Sequence, residues 1–152
     1  MVAGSAILVA VVVIVAVVFA IVLVVLRKFL QGLRARGRAA IDARYPATDV
    51  LLSETLAQSY GEESKGVTQV RGNGALALTR SEIFFLLYVP ERELRIPVAS
   101  IQDVTHPRSH LGKSGGARLL HVRWTRDGAS DAIAWRVPDP DAWKAKIDAL
   151  RG

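Results

Sequence analysis

Residues 73–97 read NGALALTRSEIFFLLYVPERELRIP, and this stretch decides the fold. Asn73-Gly74 is a two-residue hairpin signal, strengthened by Arg71-Gly72 before it. Ala75 to Thr79 then alternates, with Leu76 and Leu78 on one side, which is the period of a strand and not of a helix. Thr79 to Ser81 turns the chain. Glu82 to Val89 follows as a second run, with IFFLLY at its centre. Pro90-Glu91-Arg92 turns it again, and Glu93 to Val98 alternates with Leu94 and Ile96 inward. Short strands joined by tight turns predict a mainly-β domain.

The same period extends outward in both directions. Val67 to Arg71 is a candidate first strand. Ile101 to Thr105 is a fifth. Arg118 to Thr125 is a sixth, with Leu120, Val122 and Trp124 on one face and His121 and Arg123 on the other. Arg126-Asp127-Gly128 is another hairpin signal, and Asp131 to Val137 is the seventh strand, with Ile133, Trp135 and Val137 inward. The chain closes with a predicted helix. Asp139 is its N-cap, Pro140 its first residue, and Asp141 suits its positive dipole end. Trp143, Ile147 and Leu150 make one apolar stripe. Seven short strands and one amphipathic helix predict a closed or nearly closed barrel with the helix plugging one end.

In that barrel Ile83, Phe85 and Leu87 enter the core, so Phe84, Leu86 and Tyr88 face outward and need cover. The cover is another protomer, the bilayer or residues 48–60, of which the last is favoured. Residues 48–65 read as an apolar strap or a short helix through Val50, Leu51, Leu52 and Leu56.

The N-terminal part is of another kind. Ala6 to Leu26 reads AILVAVVVIVAVVFAIVLVVL, without a polar or charged residue. It exceeds the roughly 18 residues that mark a membrane span. A cleaved signal peptide would carry positive charge before a shorter apolar run and small residues after it. Met1 to Ser5 is uncharged, and Arg27-Lys28-Phe29 follows, so the expectation is a retained anchor over residues 1–26. Ala6/Ala10 and Ala16/Ala20 are small-xxx-small pairs that can mark a homo-oligomer face.

Residues 27–47 form a basic helix or linker ending before Pro46, weakened by Gly32 and Gly37. Arg27, Lys28, Arg34, Arg36, Arg38 and Arg44 face one acid there, Asp42. Most of the formal net charge of +6 therefore sits beside the span. The positive-inside rule then puts the C-terminal domain in the cytoplasm and the N-terminus outside, at the cell membrane. Arg27, Lys28, Arg34, Arg36 and Arg38 are candidate contacts for anionic lipid, or serve only to set topology. A nucleic-acid binder would spread its charge over a domain face, so nucleic acid is not an expected partner. There is no cysteine, which excludes disulfides and thiolate metal sites.

Residues 105–116, THPRSHLGKSGG, hold most of the candidate chemistry. Gly112-Lys113-Ser114 is not a P-loop, because position 107 is proline and a strand follows. His106 and His110 are four apart in a loop, a weak pattern for a metal. No nucleophile elbow is present, so no catalysis and no cofactor are expected. Arg108, His110, Lys113 and Arg118 are the candidate residues for an anion or a partner, against a solvated loop that only turns the chain.

The pattern Gly74-Ala-Leu76-Ala-Leu78-Thr79, then Ile83-x-Phe85, then Ile96-Pro97 with Ile101-x-x-Val104, resembles bacterial PH-like and GRAM-like domains. With the span, the chain is similar to small bacterial membrane proteins that carry such a domain over residues 66–152. The resemblance implies a PH-like barrel of about seven strands capped by a C-terminal helix. It implies a binding module for protein or lipid at a membrane, here a protein adaptor first and an anionic-lipid reader second. Phosphoinositide-binding members use a basic loop between their first two strands. The corresponding turn here, RGNG, has only Arg71.

Overall fold

The computed structural model describes residues 2–69 and 71–152. It divides into two compact units, residues 1–34 and 35–152. Helix α1 runs from Val2 to Asp42, and Gly32 and Gly37 do not interrupt it. In its N-terminal part the large side chains from Ile7 to Leu26 are 44–66% exposed on every side. This is a helix long and apolar enough to cross a membrane. Met1, the first residue of the expected span, lies outside the described residues.

The second unit is built on seven antiparallel strands. They are β1 (Leu52–Glu62), β2 (Gly72–Leu78), β3 (Glu82–Tyr88), β4 (Glu91–Pro97), β5 (Ile101–Thr105), β8 (Leu120–Arg126) and β9 (Ala129–Arg136). A small hairpin, β6 (Ser109–His110) and β7 (Lys113–Ser114), stands apart from them. The order in the large sheet is β4-β3-β2-β1-β9-β8-β5. Its edges, β4 and β5, are neighbours in sequence, and no ladder joins them among the described residues. The expected closed arrangement is therefore not completed by hydrogen bonds. The sheet stays open on that side.

The first strand is not the expected one. Val67 and Thr68 lie in a turn, and Val70 lies outside the described residues. Residues 48–65 are not a strap or a helix: Leu52–Glu62 forms the central strand, paired with β2 on one side and β9 on the other. The register shifts between Glu54 and Ala57 and again between Ser59 and Glu62. Such bulges bend a strand and break its alternation, which is why the period is hidden in LSETLAQSYGE. It follows that residues 63–71, and not RGNG alone, connect the first two strands.

The inward faces are those the alternation predicts. Leu76, Leu78, Ile83, Phe85, Leu94, Ile96, Leu120, Val122, Trp124, Ile133 and Trp135 share one buried cluster. Phe85 meets Trp135 edge-on at 5.6 Å between ring centroids. Helix α2 (Pro140–Arg151) begins where Asp139 accepts the Ala142 amide at 3.0 Å. It sends Trp143 and Ile147 into the same cluster, with Leu150 packed at its edge.

The other face of β3 is also buried, and its cover comes from residues 36–45 rather than 48–60. Gly37 and Ile41 are buried there. Tyr45 stands edge-on to Phe84 at 5.7 Å. Arg44 and Arg95 lie over the Phe84 ring at 5.2 and 5.7 Å, and Arg36 over Tyr88 at 5.4 Å. Arg36 pairs with Glu91, Arg44 with Glu93, and Tyr45 donates to Glu82. Residues 36–45 of the segment that reads as juxtamembrane linker are thus a layer of the domain.

Candidate functional site

The stretch 105–118 carries a short hairpin, while all of its residues but His110 stay partly or fully exposed. β6 and β7 pair Ser109 with Ser114 and His110 with Lys113. Between them Leu111 (φ 50°) and Gly112 (φ 72°) both take the left-handed conformation, as a two-residue hairpin turn requires. A leucine tolerates this poorly, so the hairpin is held by other contacts. His110 bonds through Nε2 to the Gly61 carbonyl at 2.9 Å, Lys113 Nζ donates to the Tyr60 carbonyl at 3.3 Å, and Arg71 donates to the Ser114 carbonyl at 2.8 Å. All three tie the hairpin toward β1 and the segment after it.

The four residues proposed for anion or partner binding do not share one spot. His110 and Lys113 turn to the end of β1. Arg118 pairs with Asp141 at the start of α2, where His106 Nε2 also stands 3.3 Å from the same carboxylate. Arg108 is exposed, and among the described residues no ion pair involves it. Gly112-Lys113-Ser114 spans a turn and a short strand, with no helix after it.

What the fold does bring together is His110 with His121 and Glu63. His121 projects from the polar face of β8, and its ring centroid is 5.2 Å from that of His110. Glu63 opens the 3-10 turn that follows β1. One ligand atom from each of the three residues lies within 4.8 Å of the others. His121 Nε2 is 3.9 Å from Glu63 Oε1, and His121 Nδ1 is 3.2 Å from Thr105 Oγ1. Arg123 grips Glu63 through both nitrogens, at 2.9 and 3.0 Å.

The electrostatics follow from these neighbours. Burial pushes the His110 imidazole below its ordinary pKa, against the opposing pull of the Gly61 carbonyl. Burial does the same to His121, reinforced by His110 and Arg123. The two residues are 7% and 9% exposed. The Arg123 bonds hold the Glu63 carboxyl below the usual range.

A second charged group adjoins it. Glu62, 1% exposed, receives Arg92 at 2.7 Å, Lys65 at 3.0 Å and Arg126 at 3.3 Å. Asp131 accepts from the Ser64 amide and hydroxyl at 3.0 and 2.7 Å. Lys65, Arg92, Arg123 and Arg126 are therefore answered by Glu62, Glu63 and Asp131. Sequence reasoning missed Glu62 and Glu63 because residues 48–65 read as a strap or a short helix. The signal for His121 was its place opposite Trp124 and Val122 on an alternating strand.

A separate groove of about 760 Å³ lies on the open side of the sheet, lined in part by Arg80, Val98, Ile101, Leu150 and Arg151. It contains none of the candidate residues above. Of the juxtamembrane bases, Arg27, Lys28, Arg34 and Arg38 are exposed and in no ion pair among the described residues, whereas Arg36 is held by Glu91.

The arrangement defines a chain with one N-terminal helix able to cross a membrane, followed by a seven-stranded antiparallel domain with a C-terminal helix in its core. No family model and no curated protein matches it. Among solved structures it is similar to the crystal structure of the C-terminal domain of an unknown protein from Leishmania infantum. That likeness has 15% identity and a TM-score of 0.49, over 81% of this chain and 99% of the other.

Proposed function

We propose that the chain is a single-pass membrane protein whose C-terminal domain is PH-like, cytoplasmic and a non-catalytic protein-interaction module. The observation that carries this reading is the apolar surface of α1, exposed on every side from Ile7 to Leu26. A surface helix of a soluble domain buries one stripe; a helix apolar on every side, with none of them buried by its own chain, suits a bilayer. The bases that follow the span favour a cytoplasmic domain. The PH-like reading is supported by the sheet order, in which β1–β4 and β5, β8, β9 meet through the β1–β9 pair, and by Trp143 and Ile147 in the core. The adaptor reading is supported by the neutralised bases around Glu62 and Glu63, which leave no free positive cluster there for a phosphorylated headgroup.

One observation favours a second reading. Arg27, Lys28, Arg34 and Arg38 are exposed and unpaired among the described residues, and each base near an anionic surface contributes about 1 kcal/mol. In this reading the juxtamembrane segment, with Arg108 of the 105–118 loop, recognises anionic lipid.

The test uses the full chain with a C-terminal tag. In membranes of a bacterial host it resists alkaline extraction, and protease removes the tag from inverted vesicles but not from intact spheroplasts. Release by alkali, or the opposite protection, overturns the topology. Reconstituted in neutral nanodiscs, the full chain does not capture added anionic vesicles. Capture that vanishes in the R27Q/K28Q/R34Q/R38Q variant makes lipid the ligand and overturns the adaptor reading.

A further inference from the structure

We propose that Glu63, His110 and His121 form a binding site for a divalent transition metal of the Zn²⁺ class. The site goes beyond the adaptor reading and does not depend on it.

The geometry is that of a two-histidine, one-carboxylate set. Each residue offers one ligand atom, and the three atoms lie within 4.8 Å of one another. They come from three places: the turn after β1, the β6–β7 hairpin and the outer face of β8. No local motif produces such a convergence. It is a product of the tertiary fold.

The outer partners are those that metal-binding imidazoles use. A ligating histidine donates its second N–H to a protein oxygen, which orients the ring and sets its tautomer. His110 has the Gly61 carbonyl at 2.9 Å for this, and His121 has Thr105 Oγ1 at 3.2 Å. Once those bonds are made, each ring's remaining nitrogen is a bare acceptor. Glu63 is an acceptor as well. In those tautomers, three acceptors gathered in a half-buried place favour a cation among them. Arg123 answers only the carboxylate.

Arg123 does not close the site. It holds Glu63 with two nitrogens and has a further acceptor in Ser130 Oγ at 3.4 Å. It can give up the bond to Oε1, the oxygen beside His121, and keep the one to Oε2. Glu63 retains 35% exposure of its side chain, which leaves an entry path and room for a water as fourth ligand. Two imidazoles and a carboxylate suit Zn²⁺, Co²⁺ or Ni²⁺, and not the all-oxygen preference of Ca²⁺ or Mg²⁺. Bound metal would clamp the β6–β7 hairpin to β8 and to the end of the central strand.

The experiment uses the full chain in detergent, purified without a polyhistidine tag and treated with chelator. Titration with Zn²⁺ gives one equivalent bound, and Co²⁺ gives a visible d–d spectrum of a low-coordinate nitrogen and oxygen site. H110Q and H121Q each weaken Zn²⁺ binding at least about tenfold. H106Q does not, although His106 lies in the same loop. Circular dichroism and unfolding midpoints of each variant report folding separately. If the histidine variants do not fold, the wild-type readouts decide: Zn²⁺ raises the midpoint of the wild-type chain by mass action and the Co²⁺ spectrum shows imidazole ligation. No stoichiometric binding by the wild type, or binding unchanged in folded H110Q and H121Q, overturns the site.

Discussion

The Tyr88 hydroxyl donates to the Thr55 carbonyl at 2.6 Å, at the point where Gly37 of α1 leaves no room for a side chain. A Cβ on Gly37 would run into that hydroxyl and come within 3.2 Å of the Ala75 and Thr55 Cβ atoms. The glycine that reads as a weak spot in a helix is therefore the condition for residues 36–45 to lie on the sheet.

Gly37→Ala tests this contact. Helix propensity favours the alanine by up to about 1 kcal/mol, but overpacking a closed contact costs about 1–3 kcal/mol. The expected result is a lower unfolding midpoint of the full chain in detergent. Tyr88→Phe alone costs about 0.5–1.5 kcal/mol for the lost bond to Thr55. In the double variant the hydroxyl that the new Cβ meets is gone, so the two losses are less than additive. Strict additivity would mean that Gly37 and Tyr88 do not touch.

Two groups give the domain opposite responses at the ends of the pH scale. The Tyr45 phenol is pushed up to about 12, first by burial and then by Glu82, to which it donates. Its proton is held more tightly folded than unfolded. That stability is complete below about pH 10 and is lost as pH rises toward 12. Asp131 shifts the other way: burial alone would raise its carboxyl, but bonds from Ser64 and the Ala132 amide hold it below the usual value. Its contribution is present above about pH 4 and is lost as pH falls through the folded value. Unfolding midpoints followed against pH should show a shallower alkaline limb in Tyr45→Phe and a shallower acid limb in Asp131→Asn. A variant with the wild-type slope removes its group from the account.

Trp143→Ala tests whether α2 belongs to the core. Trp143 and Ile147 are buried in the cluster that holds Trp135 and Phe85. Removing the indole should cost about 3–5 kcal/mol, while exposed Lys146→Ala on the same helix should change stability by less than about 0.5 kcal/mol. Equal effects, read by denaturant unfolding, would mean that the helix is only an attachment.

Legibility in the sequence differed from strand to strand for physical reasons. β2, β4, β8 and β9 alternate larger with smaller or apolar with polar side chains along the chain, and Leu76, Ile96, Trp124 and Trp135 fall inward as read, whereas β3 is an unbroken apolar run buried on both faces, with Ile83 inward. β1 carries two bulges, a positive φ at Gly61 and two buried polar residues, Ser59 and Glu62. Each departs from the period-2 rule, so the central strand reads as a linker. The candidate site suffers from the same cause. Glu63 meets His110 and His121 only because β1 lies beside β9, and β9 beside β8, a neighbourhood that no spacing encodes. His106 looked the better companion of His110 at four residues, but it bonds to the Leu119 carbonyl and faces Asp141 instead.

The place of β1 between β2 and β9 also sets a timetable. Residues 52–97 can pair among themselves as the ribosome delivers them, since each hairpin is local. The second side of β1 must wait for β9, because Gln58 pairs with Arg136. Until that late strand is translated, the middle of the finished sheet is an edge with bare amide and carbonyl groups. Among the strands that end up paired on both sides, the one central in space waits longest for its second partner during synthesis.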